Sequence, residues 1–508
     1  MSHIFDFDAQ EDRLAQRRTR PNGAHGTLPA PEAIRAAETS LPRPGSPSFL
    51  AGRSDRDTHA HVVGDIVPAL TGQALSRRYY GFVTGGVLPL AEWADGVVSA
   101  MDQNVQVHLP EQTVATAVED AALAMLVGLL RLGEDAAWKG RTFTTGATAS
   151  NVLGLACGRE AVLAKKLGPG AEAGVGELGL LRACAEAGVT EIQVLTSAAH
   201  SSLSKAASVV GFGRRSVKEL RLSDEEPWRL DLAALERQLQ VPGTASVIAI
   251  SAGEVNTGRF AIGSVDEMRK VRALADKYGA WIHVDGAFGI FVRALEDKDE
   301  YKLLHKRVEG LELADSITVD GHKLLNVPYD CGMFLTRSHL TLQSVFTNPN
   351  AAYLSSGSQD SIPSPLNIGL ENSRRFRALP AYVVLLSEGR SGIAGLLANM
   401  VELSRKVAAF LRESDHYELL PDESADLEET FMIVLFRAKD PAVNDVLVEK
   451  INETRQMYVS GTKWAGQKAV RMAVSTWKVD VARDHEIVRT ILANVAEGKE
   501  FDIESCRD

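Results

Sequence analysis

The chain has 508 residues, 45% of them hydrophobic, 24% charged and 6% aromatic, with 42 Gly and 19 Pro. These are the proportions of an ordinary globular protein, and they exclude collagen-like, mucin-like and low-complexity architectures. Fifty-five Lys and Arg stand against 66 Asp and Glu, a net charge of −11; that balance argues against nucleic acid or an anionic membrane as the main partner.

Residues 1–47 are rich in Arg, Pro, Ala and Gly and show little periodicity. They are expected to form a loosely ordered arm with one helix near 30–39. The first residues are acidic and lack the apolar run of a secretory signal. The longest apolar run, about 121–130, falls far short of the ~20 residues a membrane helix needs. Cys157, Cys184, Cys331 and Cys506 lie far apart with no metal-binding or redox spacing, so a reducing, cytoplasmic setting is expected. A mostly helical stretch follows to about Arg131, with 48–110 read as an N-terminal helical and dimer-forming segment.

From Thr142 the pattern changes to short apolar strands alternating with amphipathic helices. Strands are predicted at 141–144, 192–196, 246–251, 280–284, 316–319 and 332–336. Between the third and fourth, Ser264 and Glu267 have capping-box spacing, Val265, Met268, Val271, Leu274 and Ala275 supply an apolar face, and Gly279 closes the helix. This alternation predicts an α/β fold over 111–400, a mostly parallel sheet sandwiched by helices. A long helix from Arg374 to about Glu413 comes next. Beyond it, strands at 430–436 and 469–475 and helices at 443–455 and 485–496 predict a small C-terminal α+β domain over 401–508.

Four segments bear on chemistry. Gly174, Gly176 and Gly179 match a dinucleotide fingerprint, but a Gly- and Lys-rich loop precedes them instead of a strand, so they read as a connection. In Phe143–Asn151 a strand turns through Gly146 into a helix, where free N–H groups favour an anion and Thr145, Thr148 and Ser150 offer hydroxyls. Asp285 and the His322-Lys323 pair each follow a buried strand, at the strand ends where ligands of open α/β sheets collect. Singly, Asp285 reads as a turn-former and Lys323 as a surface lysine. Together with the anion turn they supply an amine that traps a carbonyl, a carboxylate and a phosphate cradle, the set a pyridoxal phosphate site requires.

At these residues the chain resembles the pyridoxal-phosphate-dependent amino acid decarboxylases, the family of aromatic amino acid, histidine and glutamate decarboxylases with the type I aminotransferase fold. The resemblance runs collinearly over about 75–495. HVDGAFG is similar to the family signature in which Asp285 keeps the pyridine nitrogen protonated and Ala287 packs under the ring. DGHKLLNVPYDCG implies that Lys323 carries the cofactor as a Schiff base, with His322 beside it. TTGATASN gives Ala147 and Thr148 the phosphate role, and His200 takes the place of the imidazole that stacks on the ring. AAYLSSGSQ resembles the catalytic loop whose tyrosine, here Tyr353, returns a proton to the substrate carbon; family members that make aldehydes carry Phe there. Arg374, Arg375 and Arg377 match the start of a family helix.

Departures from the family pattern fall on Ala147, where Gly is usual, and on Ala252–Gly258, a variant of GNVNTG with Glu254 in place of Asn. Thr257 of this segment is expected near the cofactor. Glu254 reads either as a group near the ring or substrate or as a solvated loop acid. Tyr79, Tyr80 and Phe82 fall where the family lines its substrate side and suggest an aromatic or apolar amino acid; ordinary core is the other reading. His59 and His61 have no third metal ligand in view and read as solvated, so no metal is expected, while His108 and His283 read as packing residues. The expectation is a homodimeric decarboxylase acting on an L-amino acid. A related aldehyde synthase or other carbanion-forming enzyme, and a cofactor-free scaffold, are the alternatives.

Overall fold

The computed structural model describes residues 27–46, 49–168, 174–348, 362–424, 426–499 and 501. Tyr353, Cys506 and most of the predicted N-terminal arm lie outside them. The described residues divide into two compact units. One falls within Val87–Val401 and Ser424–Ile433, the other within Met1–Gly86, Glu402–Glu423 and Val434–Asp508. The segment predicted as 48–110 is therefore divided at Gly86.

The larger unit holds a seven-stranded sheet. Its strands are β1 (Gly140–Thr144), β2 (Glu191–Thr196), β3 (Val217–Glu219), β4 (Thr244–Ser251), β5 (Trp281–Asp285), β6 (Ser316–Asp320) and β7 (Gly332–Thr336), in the order β1-β7-β6-β5-β4-β2-β3. Only β7 runs antiparallel to its neighbours β6 and β1; the other pairs are parallel. Every residue of β1, β6 and β7 is buried, as expected of a sheet covered on both faces. Because β1 and β6 both oppose β7, the C-terminal ends of β1, β2, β4, β5 and β6 all open at one edge. In register, Thr144, Gly332 and Asp320 stand abreast across three strands.

Helix α1 (Ala147–Leu167) lies against this sheet. Its Val152, Leu155 and Ala156 pack in one core with Val194, Val247, Trp281 and Phe334. Two glycines set how closely it lies. A Cβ at Gly154 would fall 2.3 Å from the His283 ring, and one at Gly158 would fall 2.9 Å from Val247. Next come α2 (Ser201–Val209) and α3 (Val265–Tyr278). In α3 the Ser264 hydroxyl accepts from Glu267 N, and Gly279 ends the helix with φ 72°. Glu267 differs from a full capping box: it accepts from Gly263 N and pairs with Arg229. The stretch α4 (Ala378–Glu413) is broken at Gly389, whose φ of 58° and ψ of −164° no helix contains.

The smaller unit holds a four-stranded sheet, β8 (Tyr417–Leu420), β9 (Ile433–Ala438), β10 (Ser460–Trp464) and β11 (Gln467–Ala473), in the order β10-β11-β9-β8. It also contains α5 (Pro441–Glu453), α6 (Val481–Glu497) and the N-terminal helix Pro31–Ser40. A buried ion pair, Arg78 to Asp484 at 2.9 Å, lies in this unit. Among the described residues no helix is long and apolar enough to cross a membrane.

Candidate active site

The shared edge of the large sheet collects five segments, one after each of β1, β2, β4, β5 and β6. After β1 the chain turns through Gly146, at φ 148° and ψ 177°, into α1. A Cβ on Gly332 would meet Gly146 Cα at 2.4 Å, so the start of β7 presses directly on this turn. The first N–H groups of α1, those of Ala147 and Thr148 included, have no acceptor within the helix and point out of its N-terminus. Thr145 and Thr148 are exposed there. Ser150, offered by its sequence position as a third hydroxyl, is fully buried; it donates to Met333 O and bonds Thr144 Oγ1 at 2.7 Å. It therefore fastens the turn and is not available to an anion.

After β6, Gly321–Leu324 forms one helical turn that carries His322 and Lys323. Lys323 Nζ lies 2.9 Å from Asp320 Oδ2, with a side chain one-fifth exposed. The ring of Phe288 lies 5.8 Å away. His322 stacks on Tyr329 at 4.3 Å, and its Nδ1 accepts from Cys331 N. Burial moves the His322 pKa below the usual imidazole value, against the opposing pull of Asp320. Asp320 is buried, and its Oδ1 accepts no hydrogen bond from the described residues. That oxygen would lie 3.6 Å from a Cβ on Gly146, and His322 Cε1 would lie 3.1 Å from it. Lysine segment and phosphate turn are thus two strand spacings apart, about 9.5 Å, with little but these side chains between them.

At the end of β5, Asp285 Oδ2 accepts from Asn151 Nδ2 at 2.9 Å, and Oδ1 accepts from Ala287 N at 3.3 Å. After β2, His200 caps α2, its Nδ1 accepting from Ser202 N. After β4, Glu254 is 7% exposed, which overturns its reading as a solvated loop acid. Its carboxylate accepts four bonds from its own loop, from Asn256 N and Nδ2 at 3.0 Å and from Thr257 N and Oγ1 at 2.8 Å. The Thr257 hydroxyl is thereby committed to Glu254.

Tyr79, Tyr80 and Phe82 belong to the smaller unit. Tyr80 is fully buried, so it is core there; Tyr79 packs on Tyr458 at 4.8 Å, and only Phe82 is exposed. The three arginines all meet acids: Arg374 with Glu119, Arg375 with Asp95 and Arg377 with Asp330. His283, read as a packing residue, bonds Ser316 at 2.8 Å through Nδ1 and Asn151 at 2.9 Å through Nε2. Burial pulls its pKa down to about 4 although Asp285 opposes this. Strand alternation was the available signal, since His283 and Asp285 share one face of β5. Asn151 and Asp320 carried none beyond their place in the motifs.

The residues present fit pyridoxal phosphate. They provide an amine held by a carboxylate, a second carboxylate at the end of β5, and a helix N-terminus for the phosphate. Fold and site together define a pyridoxal phosphate enzyme of the type I fold. The pyridoxal-dependent decarboxylase conserved domain matches residues 93–439, and the chain belongs to that family. It is 27% identical over 374 residues, 70% of this chain and 69% of the relative, to an L-2,4-diaminobutyrate decarboxylase of Acinetobacter baumannii. The Oryza sativa enzyme TDC, solved with PLP and tryptamine, superposes with a TM-score of 0.76 at 20% identity, over 97% of this chain and 96% of that one. A 4-hydroxyphenylacetaldehyde synthase of Rhodiola rosea gives 0.76 at 17% identity, over 98% and 99%. The protein is a pyridoxal-phosphate-dependent amino acid decarboxylase.

Proposed function

We propose that this enzyme converts an L-amino acid with an aromatic or apolar side chain to its amine and CO2, as a cytoplasmic homodimer. The observation that carries the choice of substrate is the state of Glu254. A diamino acid, the substrate class named for the Acinetobacter relative, calls for a free carboxylate, and Glu254 is the acid the sequence offered. Both of its oxygens are taken by its own loop. The aromatic run Tyr79, Tyr80 and Phe82, which the family resemblance sets on the substrate side, is the second ground for an aromatic or apolar side chain.

Bound pyridoxal phosphate supplies the electron sink for the carbanion left when CO2 departs. In this reading Lys323 would hold the cofactor through its amine. Asp285 keeps a proton on the ring nitrogen by its negative charge. His200 and Ala287 would pack against the ring. Ala147 and Thr148 hold the phosphate through N–H groups, with His322 and Thr257 at the margin of the site. Tyr353 protonates the substrate carbon. The test is a panel of the common L-amino acids and L-2,4-diaminobutyrate, followed for CO2 and amine by mass spectrometry, with Lys323→Ala as control. Turnover of an aromatic substrate and no product from the control is expected. Preferential turnover of the diamino acid would refute the assignment, and peroxide with ammonia would place the enzyme with the aldehyde synthases.

A further inference from the structure

Beside Asp285 lies a chain of hydrogen bonds whose direction is fixed by the Asp285 carboxylate and by the Ser202 N–H. At one end Trp281 Nε1, which can only donate, reaches Ser316 Oγ at 2.9 Å. Ser316 Oγ in turn lies 2.8 Å from His283 Nδ1. The Asp285 carboxylate can only accept, so Asn151 gives it an N–H and turns Oδ1 to His283, whose Nε2 carries the proton donated at 2.9 Å and whose Nδ1 accepts from Ser316. Thr318 Oγ1 donates to the same oxygen at 3.0 Å. With Oδ1 doubly filled, the Asn151 amide can face Asp285 and Ser202 only with its N–H bonds, at 2.9 and 3.3 Å. At the far end the backbone N–H of Ser202, again only a donor, reaches His200 Nδ1, and Ser202 Oγ lies 2.6 Å from the same nitrogen. The His200 ring therefore carries its proton on Nε2. Reversing Asn151 would turn its Oδ1 on the Asp285 carboxylate, and a proton on His200 Nδ1 would strand the Ser202 N–H.

We propose that Asn151 is a positioning residue which, oriented by His283 and Thr318, locks Asp285 as an acceptor and His200 in one tautomer, so that the groups beneath and beside the cofactor ring are set before it binds. The proposal rests on the roles given above to Asp285 and His200, and it concerns their orientation, not the identity of the substrate. Asn151 and His283 are fully buried and neither is a catalytic residue in this scheme. Coupling through such a network is worth more than its separate bonds because each member orients the next.

Ring-nitrogen NMR on protein labelled with 15N-histidine, without cofactor at pH 7, is expected to show both His283 and His200 protonated on Nε2. A proton on Nδ1 of His283 would overturn the proposal. Asn151→Asp preserves shape but turns acceptors toward Asp285; its affinity for pyridoxal phosphate, titrated by absorbance, should fall at least tenfold and the long-wavelength band of the bound cofactor should shift. Should that variant fail to fold, Thr318→Val decides, since the Thr318 hydroxyl bonds Asn151 Oδ1 and not Asp285. An affinity loss of about threefold or more that Thr318→Ser restores supports the proposal. Folded Asn151→Asp binding within twofold of wild type with an unchanged band, or Thr318→Val indistinguishable from Thr318→Ser, refutes it. Failure of the wild-type chain to bind pyridoxal phosphate would instead refute the cofactor assignment.

Discussion

Gly154 occupies the middle of a 21-residue helix, where glycine costs about 1 kcal/mol relative to alanine. Gly154→Ala should still destabilise the protein. The new Cβ would stand 2.3, 2.4 and 2.9 Å from Cε1, Nδ1 and Nε2 of His283, whereas ordinary contact needs roughly 3.5 Å. The imidazole must retreat by about 1 Å, which stretches its bonds to Ser316 and Asn151 beyond hydrogen-bond range. Each buried group left without its partner costs about 1–3 kcal/mol, so two such losses less the gain in helix propensity leave a net cost of about 1–5 kcal/mol. The assay is thermal and denaturant unfolding of the cofactor-free protein in two backgrounds, wild type and His283→Ala. In the second background the ring is gone, and Gly154→Ala should become neutral or stabilising. An equal penalty in both would refute the reasoning.

His283 also sets an acid limit. Its native pKa of about 4 lies below the ordinary value near 6.5, so between those pH values the unfolded chain binds a proton that the folded chain does not. Stability is then lost as pH falls through this window, by roughly 3 kcal/mol at its lower end; His283→Phe should flatten the acid limb of a melting-temperature profile, and an unchanged slope would count against it. Arg374 and Glu119 are almost wholly buried and paired side by side. Arg374→Met should cost about 3–5 kcal/mol by stranding the acid, and Arg374→Met with Glu119→Leu should recover most of this in denaturant melts. Gly332→Ala should displace the turn at Gly146 and lower pyridoxal phosphate affinity at least tenfold by absorbance titration, with Gly395→Ala, whose Cβ meets nothing within 4 Å, as the comparison.

Much of the fold could be read from local pattern. The six predicted strands recur within two residues, because runs such as Val-Ile-Ala-Ile are apolar on both faces and turn residues bound them. The N-cap at Ser264 and the C-cap at Gly279 were legible for the same local reason. The antiparallel direction of β7 was not, although the eleven residues that separate it from β6 leave little room for a crossover. The break at Gly389 was hidden in an otherwise strong helical pattern, since an isolated glycine is tolerated there. At the site, Lys323, Asp285 and the turn at Gly146 were legible because each stands in a short motif. The roles of Asn151, His283 and Ser150 were not, for they depend on partners more than 130 residues distant that only the folded sheet brings together. Glu254 shows the same limit, as its burial is decided by its loop and not by its charge.

The placement of β7 has a consequence for the order in which the protein is made. Strand β1 pairs in the sheet with β7, and the turn at Gly146 is pressed into place by Gly332. About 190 residues separate the two, so at 5–20 residues per second the ribosome takes roughly 10–40 s to deliver the neighbour that completes the phosphate cradle. Through that interval β1 waits with its backbone groups unpaired, an edge open to wrong partners. The cofactor cannot rescue the nascent chain by folding it early. Its phosphate turn becomes whole only after Lys323 itself has been synthesised, so the complete site is acquired in one late step.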